Sequence, residues 1–306
     1  MSQNAVKRLY LMQVGSMPEY QIPIVCYLAQ TGDGKNILID TGLPEIIPED
    51  ASEFENGQDV IEQLASIGLK PDDIDTVIST HYDGDHAGRH AAFTKAQYVV
   101  QRAHHLDAAS NPRFAAIRPQ WDQPMERIRL VDEDVACLSP STVYRILKEA
   151  NLVCPWRRRS KRRREEDEKA TQPDQRWSTD LMHLQVGAAV YFFISVMDEY
   201  SRYIVHWELL PGLELIETSG HVPGHQSVLV RLPKTGAILL TIDAVPFGEG
   251  FTRDEQDDGS NPDAEAIRAS TIKLLDLVER EHIGLVIFGH DKEQWETLKK
   301  APEFYE

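Results

Sequence analysis

The sequence of 306 residues is poor in several features that define large classes of protein. It contains three cysteines, Cys26, Cys137 and Cys154, and none belongs to a CxxC pair, so we expect no disulfide framework. No apolar run approaches the roughly 18 residues that span a bilayer, and the first residues lack the apolar segment of a signal peptide. We therefore expect a cytoplasmic protein without a membrane partner.

Basic residues are also in deficit. The chain has 32 Lys and Arg against 49 Asp and Glu, a net charge of −17, which argues against nucleic-acid binding over its whole surface because phosphate affinity requires cationic groups. The deficit is uneven: residues 136–208 contain 12 basic and 10 acidic residues, whereas the rest of the chain contains 20 and 39. This difference predicts that two unlike segments are joined in one chain.

Outside residues 136–208, the hydrophobic pattern alternates between strands and helices. Turn residues separate the strands, and glycine ends the first helix. A long amphipathic helix is expected after the N-cap Asn261, with Ile267, Ile272, Leu275 and Val278 on or near one apolar face. The other predictions are strands at 8–14, 22–29, 36–40, 74–80, 97–101, 213–217, 227–232, 237–242 and 285–288, and helices at 58–67 and 102–109.

Side chains that can bind metal ions follow four of these predicted strands. Imidazole and carboxylate groups are common ligands of zinc and iron. A single loop of Asp and His residues is equally consistent with a metal site and with a solvated turn. Four such strand ends in one chain favour a metal site. The candidates are His81, Asp83, Asp85 and His86 in HYDGDH, His221 and His225 in GHVPGH, Asp243 in IDA, and His290 in FGHD.

These motifs, with LIDTG at residues 38–42, resemble the metallo-β-lactamase superfamily and within it the N-acyl-homoserine lactonases. The resemblance covers about residues 7–135 and 209–306. It implies an α/β fold, the αβ/βα sandwich, with a site for two metal ions at one edge of the two sheets. It also implies a hydrolase domain made of residues 1–135 and 209–306.

The resemblance also implies a role for each candidate residue. His81, Asp83 and His221 would bind one divalent ion, Asp85, His86 and His290 the other, and Asp243 both. Asp40 and His225 would brace the ligands without binding an ion. Asp85 would be the catalytic residue that transfers a proton to the leaving alkoxide. No organic cofactor is implied.

Two positions depart from the family pattern. Asp83 stands where the family usually has histidine. The family resemblance implies two zinc ions, and the added carboxylate also suits iron or manganese. Pro246 stands where the lactonases usually have a tyrosine that hydrogen-bonds the substrate. The resemblance implies opening of an N-acyl-homoserine lactone, known as quorum quenching, by a water molecule shared between the ions. Hydrolysis of another small ester or thioester is the alternative.

Residues 133–210 resemble a different family, the insertion-sequence transposases with an integrase core. The matching stretches are SPSTVYRILKEANLVCPWRRRSKRRREEDEK and PDQRWSTDLMHLQV, the latter followed by YFFISVMDEYSRYIVHWEL. They imply a helix, an Arg-rich linker and part of an RNase-H-like meander with strands at 177–184, 190–197 and 202–208. Asp180 would be the first acid of the catalytic triad. The match ends before the other two, so we expect no transposase activity.

The spacing of the motifs predicts that this fragment is inserted into an intact domain. His86 and His221 are 135 residues apart, and removing the 73 residues 136–208 leaves 62, an ordinary separation in the family. We expect residues 156–176 to be mobile and protected poorly from hydrogen exchange. Nucleic acid is not an expected partner, except through 141–164, while residues 191–194 could support a homodimer. The remaining alternative is a transposase-derived fusion, DNA-binding or inactive, without hydrolase activity.

Overall fold

The chain forms two compact units, one made of residues 1–137 and 210–306 and the other of residues 138–209. The computed structural model describes residues 5–47, 51–131, 135–136, 177–186, 189–198, 212–253 and 264–306.

The first sheet of the larger unit has seven strands in the order β4-β1-β2-β3-β5-β6-β7. Its first half is antiparallel, and β3, β5, β6 and β7 are parallel to one another. The strands are β1 (Val6–Met17), β2 (Ile22–Thr31), β3 (Asn36–Ile39), β4 (Glu55–Asn56), β5 (Thr76–Ile78), β6 (Gln97–Gln101) and β7 (Ile128–Val131).

The second sheet has five described strands in the order β14-β13-β12-β11-β8. All neighbours are antiparallel except β13 and β14, which are parallel. The strands are β8 (Val135–Ala136), β11 (Leu213–Glu217), β12 (Gln226–Leu232), β13 (Gly236–Ile242) and β14 (Leu285–Phe288).

Most of the helices cover the outer faces of the sheets, whereas Trp295 of the last one belongs to the core between them. The capping box of Asp59 and Glu62 begins α1, because each side chain accepts a backbone N–H that the first turn leaves unpaired. No helix in the described ranges is both long and apolar enough to cross a bilayer. The helices are α1 (Val60–Ser66), α2 (Gly84–Ala87), α3 (Arg102–Ser110), α4 (Arg118–Trp121), α5 (Ala264–Glu281) and α6 (Lys292–Thr297).

The inner faces of the two sheets pack on each other to form the central core. Leu11 on β1 and Ile39 on β3 belong to the same buried cluster as Val230 on β12 and Leu240 on β13. Because side chains alternate along a strand, the opposite faces bury separate clusters. The four layers are helix, sheet, sheet and helix, so the predicted αβ/βα sandwich is confirmed.

The predicted apolar face of the long helix is wrong in part. Leu274 and Leu277 are the buried apolar side chains of α5, whereas Ile272 and Leu275 are half-buried. Two polar residues share the buried face: the Ser270 hydroxyl donates to the Ser219 carbonyl oxygen and the Thr271 hydroxyl to that of Ile267. These hydrogen bonds allow Ser270 and Thr271 to be buried. The hydrophobic pattern counts only apolar residues, and it therefore predicts a buried face that is rotated about the helix axis from the real one.

Within the smaller unit, the described residues form an antiparallel hairpin of β9 (Trp177–Val186) and β10 (Ala189–Asp198). The two strands predicted at 177–184 and 190–197 are therefore present, and both are longer than predicted. The predicted helix, Arg-rich linker and third strand lie outside the described residues, as do Cys137, Cys154 and Asn261. The likeness of this unit to a transposase stays a prediction.

Candidate metal centre

The candidate ligands are carried by loops that follow strands of both sheets. His81 and α2 follow β5, and Asp243 and His290 come directly or shortly after the parallel strands β13 and β14. His221 lies in the turn between β11 and β12. The loops therefore bring residues from distant parts of the chain together at one edge of the sandwich.

Four side chains form the first cation position, which we define as His81, Asp83, His221 and Asp243. The Nε2 atom of His221 lies 3.1 Å from Oδ2 of Asp83 and 3.5 Å from Oδ2 of Asp243. The Nε2 atom of His81 lies 3.5 Å from the same two oxygens. His81 is fully buried, and His221 is about one-third exposed, so the position is open on one side.

The second cation position consists of Asp85, His86, His290 and again Asp243. The Nε2 atom of His86 lies 3.6 Å from Oδ2 of Asp85 and 3.4 Å from Oδ2 of Asp243. The Nε2 atom of His290 lies 3.0 Å from the other oxygen of Asp243. Asp243 thus contacts imidazoles of both positions, as its predicted bridging role requires.

The donor atoms fit divalent cations. Ligand atoms held about 2.0–2.2 Å from a tetrahedral zinc ion are about 3.3–3.6 Å apart, close to most separations in both positions. Two buried atoms, Nε2 of His81 and Nε2 of His86, have no hydrogen-bond partner among the described residues. Such atoms are costly to bury unless they bind something, and a cation satisfies both. The assignment of each ligand to an ion remains a prediction.

The charges in this cluster are strongly coupled. Burial lowers the pKa of His81, but the carboxylates of Asp243 and Asp83, each 3.5 Å from Nε2, outweigh burial and raise that pKa to about 9. Burial raises the pKa of Asp83, but hydrogen bonds from His221 and Arg113 and the nearby ring of His81 hold it well below its ordinary value. The carboxylate of Asp83 is therefore ionised at neutral pH, and a cation has to displace a proton from His81.

Asp40 holds the ring of His86. It accepts a hydrogen bond from the Thr80 backbone N–H at Oδ1 and one from the Thr80 hydroxyl at Oδ2, and Oδ2 also lies 3.0 Å from Nδ1 of His86. With Nδ1 engaged, the Nε2 atom of His86 is left to face Asp85 and Asp243. A carboxylate in this place fixes the tautomer and ring orientation of a metal-binding histidine.

His225 is buried beside the first cation position and makes no hydrogen bond to a ligand. Its Nδ1 atom lies 2.9 Å from the hydroxyl oxygen of Thr218, and its ring centroid lies 5.1 Å from that of His81. It can support the ring of His81 by packing. Its predicted bracing role stays a prediction.

Two residues near the cluster were not predicted from the sequence. Arg113 makes a two-point ion pair with Asp83, with Nε 2.8 Å from Oδ1 and Nη2 in contact with Oδ2. His104 on α3 contacts the backbone of both ligand-bearing loops. Neither residue belongs to a recognisable motif, and the dipeptide His104-His105 after β6 was the one available signal.

A cavity of about 370 Å³ opens beside Asp83 and Asp85. Arg113 is a further charged residue of its wall, and most of the remaining lining is apolar. An apolar cavity next to a few polar groups is the usual form of a small-molecule site. The apolar part of the lining includes Leu43, Pro44, Ile46, Ile47, Phe54, Ala116 and Ile117.

The two-sheet fold and the paired His and Asp positions are those of a metal-dependent hydrolase. A family model described as the metallo-beta-lactamase superfamily matches residues 20–290, so the chain belongs to that superfamily.

Known relatives agree with this assignment. The chain is 27% identical to an N-acyl homoserine lactonase of Bacillus cereus over 296 residues, which covers 92% of this chain and 87% of the relative. It is 25% identical to the N-acyl homoserine lactonase AttM of Rhizobium radiobacter over an alignment of 330 residues, which covers 97% of this chain and 98% of the relative.

Solved structures share the fold. One similar structure is an N-acyl homoserine lactone hydrolase with the product N-hexanoyl-L-homoserine bound at its catalytic metal centre. It has a TM-score of 0.63 and 22% identity, and the match covers 98% of this chain and all of the other. The hydrolase AbOPH is similar at a TM-score of 0.54 and 14% identity, and the match covers 94% of this chain and 90% of AbOPH. At these identities the structural likeness supports the fold alone.

Proposed function

We propose that this protein opens the ring of N-acyl-homoserine lactones, the reaction of quorum quenching. The observation that carries the proposal is the pair of His and Asp positions joined by Asp243 beside a largely apolar cavity. The lactonase relatives, which align with more than nine-tenths of the chain, support the substrate class.

The two cation positions would hold divalent ions, with zinc as the expected metal. Bound there, such ions would supply an activated water and would polarise the ester carbonyl. Asp85 lies at the second cation position and also lines the cavity. Its carboxylate would take the proton that the attacking water gives up and pass it to the alkoxide that leaves when the ring opens.

The cavity would receive the acyl arm of the substrate. Its apolar walls at Ile47, Phe54 and Ile117 suit a hydrocarbon chain, because burying each methylene contributes about 0.8 kcal/mol. Arg113 and Asp83 stand where the cavity meets the cation positions, so the polar amide and lactone ring would lie at that end.

Hydrolysis of other esters or thioesters is a second candidate, favoured by the residue at position 246. The carbonyl oxygen of Pro246 accepts the backbone N–H of His290, which puts this residue beside a candidate ligand. A proline side chain has no donor for a substrate oxygen. A site without that donor would discriminate less between a lactone and an open ester.

A hydrolysis screen over N-acyl-homoserine lactones, alkyl esters and thioesters tests the proposal with the intact, zinc-loaded chain. We expect the highest kcat/KM for the lactones, and loss of at least a hundredfold on His221→Ala. His282→Ala is the matched control, because that histidine is exposed, comes just after α5 and belongs to neither cation position. Preference for an open ester would support the second candidate, and no hydrolysis of any substrate would refute both.

A further inference from the structure

We propose that His104 is a positioning residue that ties the two loops of the first cation position together. The proposal rests on the proposed function, since it assumes that this position holds a cation. His104 belongs to α3, which carries none of the candidate ligands. It therefore adds a third element of the fold to the assembly of the site.

Both ring nitrogens of His104 are used, and each contacts a different loop. Nε2 accepts the backbone N–H of Tyr82, the residue between His81 and Asp83, at 2.8 Å. Nδ1 lies 3.1 Å from the carbonyl oxygen of Pro223, in the turn that carries His221. A carbonyl can only accept, so Nδ1 carries the proton and the ring is neutral. The imidazole thus spans from one ligand loop to the other.

Burial makes this link hard to replace by water. His104 is fully buried, and burial lowers its pKa to about 3, so the ring is neutral at neutral pH. Phe114 packs edge-on against the ring, with centroids 5.2 Å apart. Loss of the ring would leave the Tyr82 N–H and the Pro223 carbonyl without their buried partners, a cost of about 1–3 kcal/mol for each group.

The loop of His221 is fitted closely to α3 at the same point. Gly224 has a φ of +68°, and a Cβ at this position would lie 2.5 Å from the backbone nitrogen of His104. Only glycine allows this approach without displacement of the backbone. The contact shows that α3 and this loop meet directly, so the hydrogen bond from His104 acts on a loop already held near it.

Other contacts join the same loops, and one of them lies behind the ligands. The backbone N–H and the side-chain amide of Gln226 donate to the carbonyl oxygens of Thr80 and Ser79, each at 3.2 Å. This link fixes the strand ends. Farther out, the side chain of His221 contacts those of Asp83 and Arg113, whereas His104 acts on the backbone of both loops. Removal of His104 should therefore loosen His221 and Asp83 while the fold and the second cation position persist.

The test is a stepwise zinc titration of the full chain, stripped of metal, against a chromophoric chelator, with metal counted by mass spectrometry. We expect two zinc ions per wild-type chain. His104→Ala should weaken one of the two by about 10- to 100-fold and leave the other within about threefold. His104→Gln should recover most of the loss, because a carboxamide offers one donor and one acceptor, like the neutral ring.

His105→Ala is the matched control, because this half-buried neighbour contacts the side chains of Tyr82 and Trp121 rather than the Tyr82 N–H and the Pro223 carbonyl. It should bind two zinc ions with wild-type affinities. Equal binding of both ions by wild type and His104→Ala would overturn the inference, as would equal weakening of both ions or failure of His104→Gln to recover. A wild-type chain that binds no zinc would instead refute the proposed function.

Discussion

At the scale of single residues, the site depends on side chains that touch the ligands as well as on the ligands. Asp40 adopts a φ of +60°, a left-handed conformation that Asp and Asn tolerate better than most residues. That backbone turn aims its carboxylate at Thr80 and His86 together. The end of β3 is thereby connected to the second cation position.

Replacement of Asp40 by asparagine tests this connection without changing the shape of the residue. The asparagine amide has one acceptor oxygen: if that oxygen faces His86, the amide nitrogen opposes the Thr80 N–H, and in the other orientation the nitrogen opposes Nδ1 of His86. Asp40→Asn should therefore weaken zinc binding at the second cation position by about 10- to 100-fold. Stepwise zinc titration measures the change. Asp75→Asn, in a surface ion pair with Lys35, is the control and should bind zinc normally. Unchanged affinity in Asp40→Asn would show that His86 needs no such support.

We predict that protonation of the buried His90 lowers the free energy of unfolding in acid. It is fully buried between the hydroxyls of Thr41 and Ser79, and burial lowers its pKa to about 4. In the unfolded chain this histidine has a pKa near 6.5, so it takes up a proton there more readily than in the fold. The contribution of neutral His90 to the free energy of unfolding is therefore complete above pH 6.5 and is lost as the pH falls towards 4. At pH 5 the loss from His90 is about 2 kcal/mol.

His90→Gln should remove that share of the acid sensitivity. The free energy of unfolding, measured in urea on the metal-free protein, should fall by about 2 kcal/mol less between pH 7 and pH 5 than in wild type. A variant with the same pH dependence as wild type would contradict the assignment of a buried, neutral His90.

At the scale of secondary-structure elements, the position of α5 is the clearest departure from the sequence prediction. The buried face runs through Ser270, Leu274 and Leu277, because Ser270 satisfies its hydroxyl on the carbonyl oxygen of Ser219. This contact holds the helix against the loop that leads to His221. The helix therefore supports the loop that carries His221, one of the residues of the first cation position.

Paired alanine substitutions distinguish the two faces. Leu274→Ala should lower the free energy of unfolding by about 2–5 kcal/mol, the usual cost of emptying a fully buried leucine site. Leu275→Ala is the matched control, since that side chain is half-buried and should cost less than about 1.5 kcal/mol. Urea unfolding measures both. A larger cost at Leu275 would favour the face that hydrophobic periodicity indicated.

Strand ends explain why much of the site was visible in the sequence. His81, Asp243 and His290 each come after a short apolar run, and such runs predict buried strands well. Neighbouring parallel strands then bring the residues after their carboxyl ends to a common edge of the sheet. Arg113 and His104 could not be found in this way, because they lie on a short turn and a helix whose amphipathic pattern is weak. Their roles depend on tertiary contacts with Asp83 and Tyr82.

At the scale of the whole molecule, the smaller unit leaves and rejoins the larger one between paired strands. Val135 on β8 pairs with Leu215 on β11, and Ala136 pairs with Glu214. Joining residue 137 to residue 210 would leave a connection of four residues, 137 and 210–212, between these strands, an ordinary hairpin loop. The larger unit contains both cation positions and the cavity.

Excision of residues 138–209 should therefore leave a folded protein. We expect the shortened chain to bind two zinc ions and to retain kcat/KM for its substrate within about tenfold, since loop length changes the free energy of unfolding only slightly. Metal analysis and the hydrolysis screen measure both. An insoluble or metal-free product would show that the smaller unit is required for the fold.

The most direct test of the two-cation site is an anomalous-scattering map from crystals of the zinc-loaded protein. It should contain two peaks, one bound by His81, Asp83 and His221 and the other by Asp85, His86 and His290, with Asp243 between them and zinc-to-ligand distances of about 2.0–2.2 Å. A map without peaks at these residues, or with a single ion bound elsewhere on the chain, would contradict the proposed site.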